Sequence, residues 1–162
     1  MGRCASALRP RKLVDAESPR LLRGRELEEE WIGSDVMVTT SAGAAARMLD
    51  TLQQTATRRC LARAISAAIG RATVRYVHWG GAKIYALAVP GAAGGAVGIR
   101  IAVTVTSTFS EVTLPMYIDV LGFARGPAVI TLAAASLTQP VPAEVERLVF
   151  STLLARAGSH RL

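Results

Sequence analysis

Few residues in this sequence could carry out a reaction. The histidines are His78 and His160. A general base needs a second polar group within hydrogen-bond reach. His78 stands beside Trp79 at a strand end and reads as a surface residue, and His160 lies in the C-terminal tail. No Gly-x-Ser-x-Gly elbow is present, so the usual hydrolase nucleophile has no support. No His, Cys and carboxylate group has metal-ligand spacing. The glycines of residues 90–95 are not followed by Gly-Lys-Ser/Thr, so they read as a flexible connection and not as a phosphate cradle. Asp119 is the best single candidate for a functional carboxylate. Strand pairing sets Arg100 directly across from it, which favours a structural ion pair. Tyr76, Tyr85, Trp79 and Tyr117 could line a groove, although strand aromatics usually serve the core. No catalytic residue, metal or cofactor is therefore nominated. Arg100, Thr104, Tyr117, Asp119 and Trp79 are nominated as ligand-binding residues.

The elements that must position these side chains follow from spacing. Residues 97–107 and 112–124 alternate apolar and polar. With the turn at 108–111, Ile99, Ile101, Val103 and Val105 meet Val120, Ile118, Met116 and Leu114 on one face. The opposite face pairs Arg100 with Asp119, Ala102 with Tyr117, and Thr104 with Pro115. A slip of one residue would mix the two faces, so this register is well specified. Residues 128–137 form a last strand. Pro142 suits the first turn of a helix. Val145, Leu148, Val149, Thr152 and Leu153 then recur at helical spacing and predict its apolar stripe.

Upstream, residues 35–40 predict a strand with Val36 and Val38 facing inward. Thr40 or Ser41 can cap the helix that follows. Its stripe runs through Ala45, Met48, Leu49 and Leu52, breaks at residues 53–57, and resumes at Leu61, Ala64, Ile65 and Ala68. This is one bent helix or two abutting helices, ending near Gly70. Residues 73–79 and 83–89 read as a hairpin turned by Gly80-Gly81. The order is β-α-β-β-β-β-β-α. The fold class is α+β, a mostly antiparallel sheet of about six strands with helices packed on one face.

Composition bounds the rest. A chain of 162 residues, 51% hydrophobic, suits one domain with a real core. The domain is expected at residues 31–158, behind a basic and disordered tail at residues 1–30. The formal net charge is +7. Residues 1–25 hold seven basic and two acidic side chains, which gives +5. A basic tail can attract nucleic acid or anionic lipid. No aromatic residue interleaves with these charges to stack on bases, so a solvated tail is favoured and no nucleic-acid partner is expected. Glu28, Glu29 and Glu30 read as a solvated face. No uncharged window reaches the roughly 20 apolar residues of a spanning helix. No signal peptide is evident, and the sequence as written reads as cytoplasmic. Cys4 and Cys60 do not make a disulfide framework. Cys60 reads as a small buried hydrophobe.

Several segments together resemble a known group. These are residues 35–46 (DVMVTTSAGAAA), 57–64 (TRRCLARA), 82–89 (AKIYALAV), 115–126 (PMYIDVLGFARG) and 140–157 (PVPAEVERLVFSTLLARA). They are similar to actinobacterial exported sensor-type domains, found in cell-wall lipoproteins and in extracellular parts of receptor-type serine/threonine kinases. Cys60-Leu61, Tyr85, Tyr117-Ile118-Asp119 and Arg125-Gly126 carry the likeness. The resemblance implies ligand, lipid-like molecule or partner binding outside the membrane, with no catalytic residues. It also implies export.

The reading reached from sequence is a non-catalytic binding or sensor domain with a small apolar or cell-envelope ligand, or a protein partner. A structural protein that homodimerises through the sheet is the first alternative. An enzyme built on His78 or Asp119 is the second.

Overall fold

A computed structural model describes residues 12–23, 30–71, 76–89 and 95–159. The described strands are β1 (Lys12–Glu17), β2 (Leu21–Arg23), β3 (Glu30–Thr39), β4 (Val77–Trp79), β5 (Lys83–Ala86), β6 (Ala96–Ser107), β7 (Thr113–Arg125) and β8 (Ala128–Leu137). The helices are α1 (Ala42–Gln53), α2 (Thr55–Ile69) and α3 (Ala143–Ser159). All strand pairings are antiparallel, in the order β1-β3-β8-β7-β6-β4, with β2 also on β3 and β5 also on β6.

The longest strands of this sheet pair as the β6–β7 hairpin. Its register sets Ile99 opposite Val120, Arg100 opposite Asp119 and Thr104 opposite Pro115, as the alternation requires. Pro115 lies near the start of β7, where its missing N–H is tolerated. Ser41 caps α1 by accepting the Ala44 amide at 3.1 Å. Gln54, extended at φ −70° and ψ 129°, separates α1 from α2. The polar stretch after Leu52 thus marks a true break between two abutting helices.

The α+β class and the antiparallel sheet hold, but the helices occupy both faces. Ala45 and Leu49 of α1 pack on Val97, Ile99 and Val129, the back face. Phe150 of α3 packs on Leu121, Phe123, Ile130 and Leu132, the front face. Alternation along β7 demands this division, because Val120 and Leu121 point opposite ways and both faces there are apolar. A sheet apolar on both faces must be covered on both.

Three further features depart from the sequence reading. Residues 12–17 and 21–23, expected within a disordered tail, pair with β3 as β1 and β2. The mixed, charge-rich composition of Lys12–Glu17 hides a strand that needs only one partner edge.

Second, β4 and β5 do not pair with each other. Both run along β6, with Trp79 opposite Val105 and Lys83 opposite Ala102. The register slips by one residue between them, so Gly80-Gly81 forms a bulge in one edge and not a hairpin turn. The Gly80 amide donates to the Thr104 carbonyl at 2.8 Å. A Cβ on Gly80 would lie 1.8 Å from the Thr104 hydroxyl, so only glycine fits there. Ser66 of α2 holds the bulge by accepting the Ala82 amide at 2.8 Å.

Third, the buried stripe of α3 is rotated from the one predicted. Leu148 is 69% exposed, whereas Glu146 and Phe150 are buried. Phe150 sets this rotation by packing edge-to-face on Phe123, with centroids 5.5 Å apart.

Residues 73–75 of the expected first hairpin strand, the connection at 90–94, His160, Cys4 and the glutamates at 28 and 29 lie outside the described residues.

Phe150 is fully buried. Phe150→Ala is expected to cost about 3–5 kcal/mol of unfolding free energy, measured by urea denaturation. A loss under about 1 kcal/mol would show that α3 does not rest on this contact.

Candidate functional site

The front face divides into two regions. The α3 end is covered, and the end nearer the β6–β7 turn carries the nominated polar residues. The boundary is a charged cluster. Arg100 on β6 reaches Asp119 on β7 with two parallel bonds, Nε to Oδ1 at 2.7 Å and Nη2 to Oδ2 at 2.6 Å. Asp119 is 2% exposed and the Arg100 side chain 25%. Directly opposed positions on neighbouring strands create this pair, and the fork geometry of guanidinium matches carboxylate. The hydrogen bond to Asp119 raises the Arg100 pKa further above its ordinary value. The Arg100 guanidinium also sits 5.8 Å from the centre of the Tyr117 ring.

Glu146 completes the cluster. It lies in the first turn of α3, is 7% exposed, and interacts with Asp119. Burial pushes its pKa up to about 8, and the hydrogen bond and charge of Asp119 push the same way. Arg100 opposes this shift weakly. At neutral pH Glu146 is therefore a neutral acid. Its Oε1 is buried without a hydrogen-bond partner among the described residues. A neutral carboxyl tolerates that far better than an ion would.

Glu146 is not among the residues that the spacing of this helix singles out, and sequence reasoning missed this contact. The signal that could have found it is Phe150. If Phe150 faces the core, Glu146 one turn earlier faces it too.

The five nominated residues are brought together only in part. Arg100, Tyr117 and Asp119 form the cluster. Thr104 shares their face, exposed, further along β6. Trp79 is opposite Val105, so it points to the back face, and its Nε1 is buried without a partner among the described residues. Two residues not nominated join the front face from the edge. Lys83 is opposite Ala102, and Tyr85 is opposite Arg100. Both are exposed, Tyr85 by 50%. His78, opposite Thr106 on the same face, is also exposed.

Elsewhere, a cleft of about 590 Å³ opens beside the α1–α2 break and is lined in part by Gln53, Arg58, Leu87 and Gly98. Arg58 is held there by the Gln53 carbonyl and by the Thr55 hydroxyl at 3.3 Å. Cys60, expected as a small buried hydrophobe, is half-buried and disulfide-bonded. Among the described residues no group of three or more His, Cys, Asp or Glu side chains could hold a metal. Among them, too, no helix is long and apolar enough to cross a membrane.

The raised Glu146 pKa has a defined consequence. Between its ordinary 4.5 and about 8 the folded state keeps a proton that the unfolded state releases. Stability therefore falls as pH rises through that interval and levels off above it. At about 1.36 kcal/mol per pKa unit, the loss by pH 7 is on the order of 3 kcal/mol. Glu146→Gln keeps a donor for Asp119 and cannot ionise. It is expected to flatten the pH 5–8 stability profile and to raise the melting temperature at pH 8. Identical profiles for both proteins would contradict the buried acid.

No family model and no curated protein matches the sequence. Among solved structures the chain is similar to the extracellular domain of PknH from Mycobacterium tuberculosis, with 12% identity and a TM-score of 0.43. The match covers 87% of this chain and 63% of that one, so this chain spans less than two thirds of that domain. A likeness this distant assigns neither family nor function.

Proposed function

We propose that this chain is a non-catalytic binding or sensor domain of extracytoplasmic type, and that its ligand surface is the uncovered part of the front face. One observation carries the reading. Helix α3 begins at the Arg100–Asp119–Glu146 cluster and leaves Lys83, Tyr85, Thr104 and the outer side of Arg100 open on the sheet. Asp119 is buried and takes both bonds from Arg100, so it serves as the anchor of Arg100 and does not itself meet ligand. A lysine, an oriented guanidinium, a hydroxyl and an exposed tyrosine ring suit a ligand with an anionic group beside a flat or sugar-like face. That chemistry fits a carboxylate-bearing fragment of the cell envelope.

The disulfide at Cys60 supports an exported setting, because such bonds persist in oxidising compartments. The two carboxyl groups beside the open face are already engaged in the cluster, which favours binding over turnover. Here Asp119 is committed to Arg100, and Glu146 lies beneath the helix.

Calorimetric titration with a soluble muropeptide, which has both sugar rings and carboxylates, tests the reading. Saturable binding is expected, weakened at least tenfold in Lys83→Ala/Tyr85→Ala. These side chains are exposed, so the fold is retained. A flat titration, or binding unchanged in the double variant, would overturn the assignment of this face.

A further inference from the structure

A second surface lies on the opposite flank of the sheet. Between β2 and α3 the front face opens into a cleft of about 310 Å³. Leu132 forms its buried floor, Ile32 and Leu21 one wall, and Val149 and Leu153 the other. Leu21 is 71% exposed, so this apolar wall faces water. Strand register explains the grouping. Leu21 is opposite Ile32 on β3, and Ser34 is opposite Leu132 on β8, which brings all four to the face under α3.

Apolar walls alone would not identify an occupant. The rim supplies the second observation. Arg156, in the last turn of α3, lines the same cleft and is exposed. It has no ion-pair partner among the described residues. Arginine pairs with carboxylate or phosphate oxygens through its planar fork. An apolar trough that ends at an unpaired guanidinium complements a molecule with one hydrocarbon chain and one anionic head. The volume sets the chain length. A methylene takes about as much room as a water molecule, roughly 30 Å³, so the trough holds on the order of ten carbons.

We propose that the cleft between β2 and α3 binds a single-chain anionic amphiphile, with its chain against Leu21, Ile32, Leu132, Val149 and Leu153 and its head group on Arg156. This site is separate from the Lys83–Tyr85 face, since β8 and β7 lie between β3 and β6 in the sheet. The two assignments can therefore fail independently.

The test is calorimetric titration of the full chain with sodium decanoate, with decyltrimethylammonium and with acetate, all below any micelle concentration. Saturable binding of about one decanoate per chain is expected. The cationic amphiphile should bind at least tenfold more weakly, and acetate should show no binding. Arg156→Ala should weaken decanoate at least fivefold and erase the preference over the cation. Thr152→Trp, at an exposed lining position, should fill the trough and abolish decanoate binding, with circular dichroism confirming the fold. Lys83→Ala/Tyr85→Ala should leave decanoate binding unchanged. Absent or non-saturable binding of decanoate would overturn the proposal. So would equal affinity for both head groups, or full binding in Thr152→Trp.

Discussion

Asp119 is a buried carboxylate, and its neutralisation constrains the rest of the molecule. An ion taken out of water must be paired and hydrogen-bonded or it destabilises the fold. Here Arg100 supplies two bonds across the strand, and Glu146 contributes a neutral carboxyl from above. Removing one partner from such a buried pair generally costs about 3–5 kcal/mol. The cluster therefore fixes three things together. It sets the register of β6 on β7, the point where α3 begins to cover the sheet, and the orientation of the Arg100 guanidinium beside Tyr117.

The covered and open parts of the front face follow from that point. Beyond Asp119 the β7 residues on this face are Leu121 and Phe123, and α3 buries them through Phe150. Before Asp119 the face carries Tyr117 and, on β6, Ala102 and Thr104, with Lys83 and Tyr85 alongside. No apolar stripe there calls for a helix. Polarity along a single pair of strands thus separates a structural half from a half free to meet other molecules. The back face has no such division, since Ala45 and Leu49 of α1 fit closely over Val97, Ile99 and Val129.

Much of the sheet was legible because alternation over eleven or more residues leaves one workable register. Arg100 opposite Asp119 could be read directly from it. A cap at residue 40 or 41 and an interruption within residues 53–57 were legible for similar local reasons, and the structure selects Ser41 and two helices. What escaped the sequence depended on contacts distant along the chain. Gly80-Gly81 carries the same signature as a turn, and only its approach to Thr104 makes it a bulge. The face of α3 was misassigned because Leu148 and Phe150 are both apolar, and packing on Phe123 selects between them. Trp79 was placed with the ligand residues because a strand end gives no clue to which face it serves. Lys83 and Tyr85 were missed as a pair for the same reason that the bulge was missed. Their neighbours across β6 become known only once the slip in register is known.

The closed cluster depends on a proton held by Glu146 in the folded protein, and carboxyl-carbon NMR observes that proton directly. In protein carrying 13C at the side-chain carboxyls, the Glu146 resonance followed from pH 3 to 10 should titrate with a midpoint near 8. A midpoint near 4.5, the ordinary value, would place an ion at the start of α3. It would contradict the closed cluster and, with it, the division of the front face.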